Sequence, residues 1–309
     1  MFGFGGPSFD PEKDIEDLSG KVILVTGGNT GLGKESVLQL AKHKPAQIFL
    51  ASRTPSKGEA AVADIKKAVP EANVTHLSLD LASLDSVKAA AKSFLAQSQR
   101  LDILINNAGI MAVPPGTTAD GYEIQFGTNH IGHAALTKLL LPTLLSTASK
   151  SPESAVRIIN LSSEGHRFAP TATGINLTDL TLPTSNGWAR YGQAKLANIL
   201  FTKSLAKHHP TLQSVAVHPG IVKTDLYLPS GDENFLIRWG ARVFGGLAFV
   251  DVPTGAKNQL WAATSSKVES GGYYTPVGNK SQGSGYTRDE ELAEKLWDWT
   301  EKELTKHGI

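Results

Sequence analysis

The sequence predicts an α/β protein in which a doubly wound parallel β-sheet is covered by helices on both faces. Short apolar runs rich in β-branched residues, such as KVILVT at 21–26, are typical of strands buried on both faces. Segments with helical periodicity separate these runs along most of the chain, and repeated βα units of this kind indicate a parallel sheet. Such a sheet binds ligands beyond the carboxyl ends of its strands.

Strand and helix patterns alternate along the chain, and apolar spacing supports each predicted element. The predicted strands are 21–26, 47–52, 73–80, 101–109, 155–163, 214–220 and a short one at 271–276. The predicted helices are 32–43, 57–69, 84–98, 120–147, 189–209, 254–265 and 288–306. We expect one Rossmann-type domain over 18–309, preceded by a flexible tail at 1–17 that is rich in Gly, Pro and acidic residues.

Composition narrows the function classes. The chain has 309 residues, 40% of them hydrophobic and 19% charged, which is an ordinary globular composition. A net charge of +1 without a long basic cluster argues against nucleic acid as a partner. The absence of cysteine excludes disulfides, thiolate nucleophiles and zinc–cysteine sites. No signal peptide and no apolar run of about 18 residues is seen, so we expect a cytoplasmic protein without a membrane span.

A glycine-rich loop follows the first predicted strand. TGGNTGLG at 26–33 places Gly27, Gly31 and Gly33 between a strand and a helix. Glycine allows a tight turn close to a pyrophosphate, and a helix N-terminus favours that anion electrostatically. No G-K-[ST] follows, so this is not the phosphate loop of an NTPase. The loop predicts a dinucleotide-binding site.

The end of the second strand indicates which dinucleotide. NAD-binding proteins usually carry an acid there for the ribose 2′-hydroxyl, whereas this chain has Arg53, with Lys57 shortly after it. A guanidinium suits a 2′-phosphate, which predicts NADP(H). The alternative is a basic turn that only faces solvent.

Tyr191 and Lys195 lie four residues apart in a predicted helix, so a phenol and an ammonium share one face. A phenol titrates near 10, and a neighbouring cation favours its ionised form, which would make the pair an acid/base group. Y-x-x-x-K also occurs by chance on surface helices, so the pair by itself leaves both interpretations open.

Taken together, the motifs resemble those of the classical short-chain dehydrogenase/reductase family, and specifically its retinol-dehydrogenase-like branch. The chain has, in the family order, T-G-x-x-x-G-x-G, N-N-A-G at 106–109, a helix Asn, a strand-end Ser, Y-x-x-x-K and P-G. The resemblance covers roughly residues 18–280 and favours the acid/base interpretation of the Tyr–Lys pair. It implies an oxidoreductase that interconverts an alcohol and a ketone or aldehyde.

The resemblance also implies a role for each matching residue. Tyr191 would exchange a proton with the substrate oxygen, and Lys195 would bind the nicotinamide ribose and lower the tyrosine pKa. Asn129 matches the helix asparagine that holds a water in the proton relay, although it could instead bond only to backbone. Alternation along the strand allows one of the two serines in LSSEGH to face the substrate, and the resemblance selects Ser163 over Ser162.

The implied cofactor site extends over several strand ends. Asp80 would lie near adenine, Asn107 near the adenosine ribose, and Pro219 and Gly220 under the nicotinamide, with the Val222 backbone holding the carboxamide. The full predicted set is Gly27, Asn29, Gly31, Leu32, Gly33, Arg53, Asp80, Asn107, Gly109, Tyr191, Lys195, Pro219, Gly220, Val222 and Thr224. No metal is predicted, because the H-x-x-H pair His130 and His133 has no apparent third ligand.

The family places its variable substrate lid at about 226–252 of this chain. Leu236, Ile237, Trp239, Val243 and Phe244 recur there at roughly helical spacing, as in a flap over an apolar substrate or in a helix that simply packs on the domain. No cation cluster for phosphate or carboxylate groups is seen, so we expect a largely apolar carbonyl substrate. Helices 120–147 and 189–209 match a pair that many relatives use to form a homodimer.

The leading hypothesis is therefore an NADP-dependent alcohol/carbonyl oxidoreductase. One alternative is an NAD-dependent alcohol dehydrogenase, which cofactor preference would distinguish. The other is a sensor or scaffold that binds a dinucleotide without turnover. The joint presence of Asn129, Ser163, Tyr191 and Lys195 weighs against a sensor, which has no need of all four.

Overall fold

The computed structural model describes residues 8–151, 155–182, 186–222 and 250–309. Among these residues the strands form one sheet of eight in the order β3-β2-β1-β4-β5-β6-β7-β8. The strands are β1 Val22–Thr26, β2 Gln47–Ser52, β3 Val74–Ser78, β4 Ile103–Asn106, β5 Arg157–Leu161, β6 Gln213–Val217, β7 Tyr273–Thr275 and β8 Asn279–Lys280. All pairings are parallel except that of β7 with β8. The prediction of a doubly wound sheet is confirmed.

Helices follow the strands along the chain. They are α1 Pro11–Asp14, α2 Gly31–Ala41, α3 Pro55–Ala68, α4 Leu84–Gln97, α5 Ile124–Phe126, α6 Gly132–Lys150, α7 Gly187–His208, α8 Val252–Thr264 and α9 Glu290–Lys306. A π-helical turn, Gly127–Ile131, joins α5 to α6, and a 3₁₀ helix, Glu164–Phe168, follows β5. Among the described residues, no helix combines the length and apolarity needed to cross a membrane.

The central strands bury both of their faces, which explains their continuous apolar sequences. In β1, Val22 and Leu24 belong to the core on one face of the sheet, whereas Ile23 and Val25 belong to the core on the other. Successive side chains of a strand point to opposite faces, so a strand covered by helices on both sides needs apolar residues at every position. Through these two cores, helices pack on both faces of the sheet. The carboxyl ends of the strands stay accessible.

The predicted helix at 120–147 begins later than expected. Residues 117–123 form a tight turn instead, in which Thr117 bridges Glu123 and Gly121 has a φ of 85°. The Gly121 amide donates to the Thr118 carbonyl oxygen at 3.1 Å within this turn, and the positive φ of Gly121 is incompatible with a right-handed helix. Helical structure begins at Ile124, and α6 contains Pro142 as predicted.

Within the predicted flexible tail at 1–17, residues 8–17 contain a short helix and side chains that are buried against the domain. Asp10 caps α1 by accepting from the Glu12 amide, and Pro11 occupies the first turn. Phe9 and Ile15 are buried in the same core as Leu18. The Gly, Pro and acidic composition suggested an unstructured segment, but these few apolar side chains have a core to enter.

α9 packs across α6 and α7, the pair predicted to support a homodimer. Lys138 of α6 forms an ion pair with Glu301 at 2.6 Å, and the Ser204 hydroxyl of α7 donates to the Ala293 carbonyl oxygen at 3.2 Å. Leu296 and Leu304 of α9 are fully or almost fully buried. The homodimer stays a prediction, and an interface on this pair would have to include α9.

Candidate active site

A cleft of about 400 Å³ opens at the carboxyl ends of the parallel strands. Thr26, Ser52, Leu161 and His218, which stand at or directly after the ends of β1, β2, β5 and β6, all line it. Parallel strands bring their carboxyl ends to one edge of the sheet, which is where open α/β sheets bind ligands. Residues far apart in the chain therefore meet in one space.

Most of the predicted site residues line this cleft. They are Gly27, Asn29, Gly31, Leu32, Arg53, Asp80, Asn107, Gly109, Ser163, Tyr191, Lys195, Pro219, Gly220 and Val222. Gly33 and Asn129 are packed in the protein next to the cleft and do not line it. Thr224, and all but the last residues of the predicted lid at 226–252, lie outside the described residues.

The glycine loop has the geometry needed for close approach to a phosphate. Gly27 and Gly31 have φ values of 64° and 51°, which favour glycine, and α2 begins at Gly31. The Asn107 side chain donates to the Thr26 carbonyl oxygen at 2.8 Å and so holds the loop against the end of β4. The N-terminus of α2 faces this turn, and such a terminus suits a pyrophosphate. The loop therefore fits a dinucleotide.

Gly33 marks the closest contact between α2 and the loop. A Cβ atom there would lie 2.6 Å from Asn107 Nδ2 and closer still to the Gly27 carbonyl oxygen. Gly33→Ala is therefore expected to displace α2, to lower the free energy of unfolding by about 1–3 kcal/mol, and to weaken dinucleotide binding. Denaturant unfolding and cofactor titration measure the two effects.

Gly285→Ala is the matched control for Gly33→Ala, because no atom lies within 4 Å of a Cβ atom at that position. It should leave both quantities unchanged within error. If the Gly33→Ala and Gly285→Ala variants were equally stable, a methyl group at position 33 would cost no free energy of unfolding despite the close packing of α2 on the loop.

Basic side chains stand at the edge of the cleft beyond β2. Arg53 and Lys57 both line the cleft and are exposed. Ser52 is held by a 3.0 Å hydrogen bond between its hydroxyl and His76 Nε2. Two cations at the adenosine end of the predicted site form a locally positive surface, where a phosphate would be attracted.

Tyr191 and Lys195 lie on one face of α7, and both are more than 90% buried. The Lys195 ammonium is 5.7 Å from the centre of the Tyr191 ring and donates to the Leu161 carbonyl oxygen at 2.9 Å. Burial lowers the pKa of Lys195 to about 8. A phenol and an ammonium group with a lowered pKa therefore lie together at the cleft.

The two serines at the end of β5 differ in their partners. The Ser162 hydroxyl is buried and donates to the Lys195 carbonyl oxygen at 2.7 Å. Ser163 is half-buried, and its hydroxyl oxygen accepts from the Gly165 amide at 3.0 Å, which leaves its proton available. A Cβ atom at Gly165 would lie 2.7 Å from Tyr191 Cε1, so this glycine lets the phenol ring approach Ser163.

Asn129 is fully buried in the π-helical turn. Its side-chain oxygen accepts from the Ile110 amide at 2.8 Å, and its side-chain nitrogen donates to the Ile110 carbonyl oxygen at 2.9 Å. The side chain thus makes the backbone contacts that were the alternative to a role in water binding. Through them it holds the loop after β4 beside the cleft.

His133 connects this turn to the glycine loop. The Thr26 hydroxyl oxygen accepts from the Asn107 and Ala108 amides, and of the two acceptors within reach of its proton, His133 Nε2 at 2.8 Å is closer than the Ile105 carbonyl oxygen at 3.4 Å. Nδ1 must then carry the imidazole proton, and it donates to the Asn129 carbonyl oxygen at 3.0 Å. A neutral imidazole satisfies every partner. His130 also has a protein partner, since its Nε2 lies 3.1 Å from the Thr300 hydroxyl oxygen. Among the described residues no group of three His, Cys, Asp or Glu is arranged to hold a metal.

Buried neutral histidines should make the fold sensitive to acid. Burial lowers the pKa of His130 to about 3 and those of His133 and His218 to about 4, against 6.5 for a free imidazole. Between about pH 4 and 6.5 the unfolded chain therefore binds more protons, so the free energy of unfolding falls as the pH falls. Each histidine contributes up to about 1.4 kcal/mol per pH unit in this window.

Urea unfolding between pH 6.5 and 5, above the range in which most carboxylates titrate, measures this slope. A His130→Phe variant removes one of the three groups and should reduce the slope by up to a third. A stability that stays constant over this range in the unmodified protein would contradict the neutral assignment.

Several residues that matter to the site were not among the predicted site residues. The Thr26 hydroxyl oxygen accepts from the Ala108 amide, and the missing side chain of Gly165 leaves room for the Tyr191 ring. Met111, Thr128 and His218 line the cleft. Thr26 is the first residue of the T-G-x-x-x-G-x-G motif and Gly165 lies within LSSEGH, but neither motif indicated a role for them. The other three have ordinary residue types for core or loop positions, and only the fold brings them to the strand ends.

The comparisons with known proteins agree with this geometry. A family model described as short chain dehydrogenase matches residues 21–174. The short-chain dehydrogenase/reductase drtF of Aspergillus calidoustus is 41% identical, over 96% of this chain and 97% of that protein. The chain belongs to the short-chain dehydrogenase/reductase family.

Two further similarities refine the placement within the family. Retinol dehydrogenase 11 of Mus musculus is 40% identical, over 91% of this chain and 85% of that protein, which supports the retinol-dehydrogenase-like branch. The crystal structure of an uncharacterized protein from Mycobacterium paratuberculosis shares 31% of its sequence, with a TM-score of 0.73 and coverage of 97% of this chain and 98% of that one. The chain is thus a member of an oxidoreductase family that binds nicotinamide dinucleotides.

Proposed function

We propose that this short-chain dehydrogenase/reductase is an NADP-dependent enzyme that interconverts an alcohol and a ketone or aldehyde, with Tyr191 as the general acid/base. The observation that carries the proposal is the shared cleft. Ser163, Tyr191 and Lys195 line the same space as the glycine loop and Arg53. A proton donor therefore stands within reach of a dinucleotide held on the loop.

Each side chain would contribute one defined step. The bound dinucleotide would supply or accept the hydride. In reduction, the Tyr191 hydroxyl would donate its proton to the carbonyl oxygen, and the Ser163 hydroxyl would hydrogen-bond to the same oxygen. The Lys195 ammonium favours the phenolate left behind, because a nearby cation stabilises the ionised form. Oxidation of the alcohol would run through the same contacts in reverse.

The substrate is proposed to be largely apolar. Ile110 and Met111 line the cleft, and the half-buried Phe168 and Trp188 stand beside Tyr191. The ring of Trp188 meets that of Tyr191 edge-on at 6.2 Å, and Phe168 lies 5.9 Å from Trp188. This surface provides dispersion and aromatic contacts. The apolar lid, the homodimer and the cytoplasmic location stay predictions from the sequence.

The test is a panel of apolar ketones, aldehydes and alcohols, with NADPH, NADH and their oxidised forms followed by absorbance. Turnover with a clear preference for the phosphorylated cofactor is the expected result. A preference for NADH would replace the proposal by an NAD-dependent dehydrogenase. Tight dinucleotide binding with no turnover of any panel member would favour a sensor.

A further inference from the structure

The loop that follows β4 forms one wall of the cleft and has a strained backbone. Ile110 and Met111 line the cleft, and the next residue, Ala112, has a φ of 50°. Residues other than glycine rarely adopt this conformation, and it persists only where the surroundings hold it in place. Contacts with the surrounding structure must therefore hold Ala112 in this conformation.

Gln125 of α5 provides the hydrogen bond that holds Ala112. Its side chain is completely buried. The side-chain oxygen accepts from the Ala112 amide at 2.8 Å, and the side-chain nitrogen donates to the Gly187 carbonyl oxygen at 2.9 Å. The Gln125 carboxamide thus connects the loop after β4, at residues 110–112, to the first residue of α7.

The same two regions also touch directly. A Cβ atom at Gly187 would lie 3.2–3.3 Å from the Ala112 backbone, so the loop and the first turn of α7 are in close contact. Trp188 follows Gly187 and meets the Tyr191 ring. A buried ion pair of 3.3 Å between Glu123 and Arg190 joins the α5 region to the same turn of α7.

We propose that Gln125 is a positioning residue that sets the spacing between the loop 110–112 and the first turn of α7, and thereby the width of the substrate side of the cleft. This inference rests on the proposed function, since it assigns the substrate to the space beside Tyr191. Gln125 does not line the cleft, so it acts through Ala112 and Gly187. Its loss should affect substrate affinity and leave the dinucleotide affinity unchanged.

Gln125→Met keeps the side-chain length and removes both hydrogen bonds. We expect the KM for an apolar carbonyl to rise about tenfold, as for the loss of one net hydrogen bond, with a smaller change in kcat and an unchanged NADPH Kd. Amide hydrogen exchange at Ala112 should speed up at least about tenfold on the same grounds. The exchange measurement does not depend on turnover.

Gln259→Met is the matched control, because Gln259 is an equally buried carboxamide on the cofactor side. Its nitrogen donates to the Ser36 hydroxyl at 2.5 Å and to the Leu32 carbonyl oxygen at 3.3 Å. This variant should raise the dinucleotide Kd and leave the exchange of Ala112 unchanged. Both variants remove a buried carboxamide, but only Gln125→Met removes the link between Ala112 and α7. Comparing them therefore shows which effects are specific to that link.

Gly187→Ala tests the spacing without removing a side-chain hydrogen bond, and it also serves if Gln125→Met folds poorly. The added methyl group should push the loop from α7 and raise the KM, whereas Gly116→Ala, with only ordinary contacts, should not. Unchanged Ala112 exchange in Gln125→Met, or an unchanged KM in both variants of an active enzyme, would overturn the inference. An inactive wild type would contradict the proposed function instead, and Ala112 exchange would then decide whether the link exists.

Discussion

Tyr191→Phe is expected to lower kcat by about 100- to 10,000-fold, the range by which a positioned general acid accelerates proton transfer. The variant removes the phenolic proton and keeps the ring. The contacts of that ring with Trp188 and with the backbone at Gly165 should therefore persist. Folding and dinucleotide affinity should change little, because the substitution affects one hydroxyl at the cleft.

Steady-state kinetics with the best substrate of the panel, together with a cofactor titration, measure these effects. Tyr286→Phe is a suitable control, since its hydroxyl donates to the Thr171 carbonyl oxygen in an exposed contact and has no place in the proposed chemistry. It should leave kcat unchanged. If Tyr191→Phe kept near-normal turnover, Tyr191 could not be the acid/base group, and another proton donor of the cleft would have to be sought.

Arg53→Asp is expected to weaken NADPH binding by about 10- to 100-fold. A hydrogen bond to a charged group contributes about 1.5–3 kcal/mol, and 1.4 kcal/mol corresponds to a tenfold change in affinity. The new carboxylate also places like charge against the 2′-phosphate. NADH lacks that phosphate, so its affinity should be unchanged or improved.

Isothermal titration of the variant and the wild type with both cofactors tests this prediction. Arg288→Asp makes the same charge change at an exposed position away from the cleft, and it should leave both affinities unaltered. Equal losses for NADPH and NADH would show that Arg53 holds a part that the two cofactors share. A wild-type preference for NADH would exclude the role before any substitution is made.

The fold could be predicted because its signals are local. The apolar run at 21–26 predicted β1 to within one residue, since a strand buried on both faces needs apolar side chains throughout. The short segment at 117–123 was less predictable. Its turn depends on Gly121 at positive φ and on a bridge between Thr117 and Glu123, which a helical pattern of apolar residues does not reveal.

The candidate site likewise has features that the sequence predicted and features that it did not. Its motif residues were recognisable from residue type and spacing, and the resemblance supplied their roles. Packing decided the remaining features. The side chain of Asn129 is engaged with Ile110, and Gln125 connects Ala112 to Gly187 over 13 and 62 residues of sequence. Such contacts join loop backbone to distant side chains, and no periodic pattern records them.

The sequence by itself determined the strands buried on both faces, the glycine turn and the placement of Tyr191 and Lys195 on one helix face, because each depends on neighbours within a few positions of the chain. Only the tertiary structure decided that residues 8–17 pack on the domain, that α9 covers α6 and α7, and that His133 must be neutral. These outcomes depend on which surfaces meet after folding. The energy of a buried polar or apolar group is set by partners that are remote in sequence.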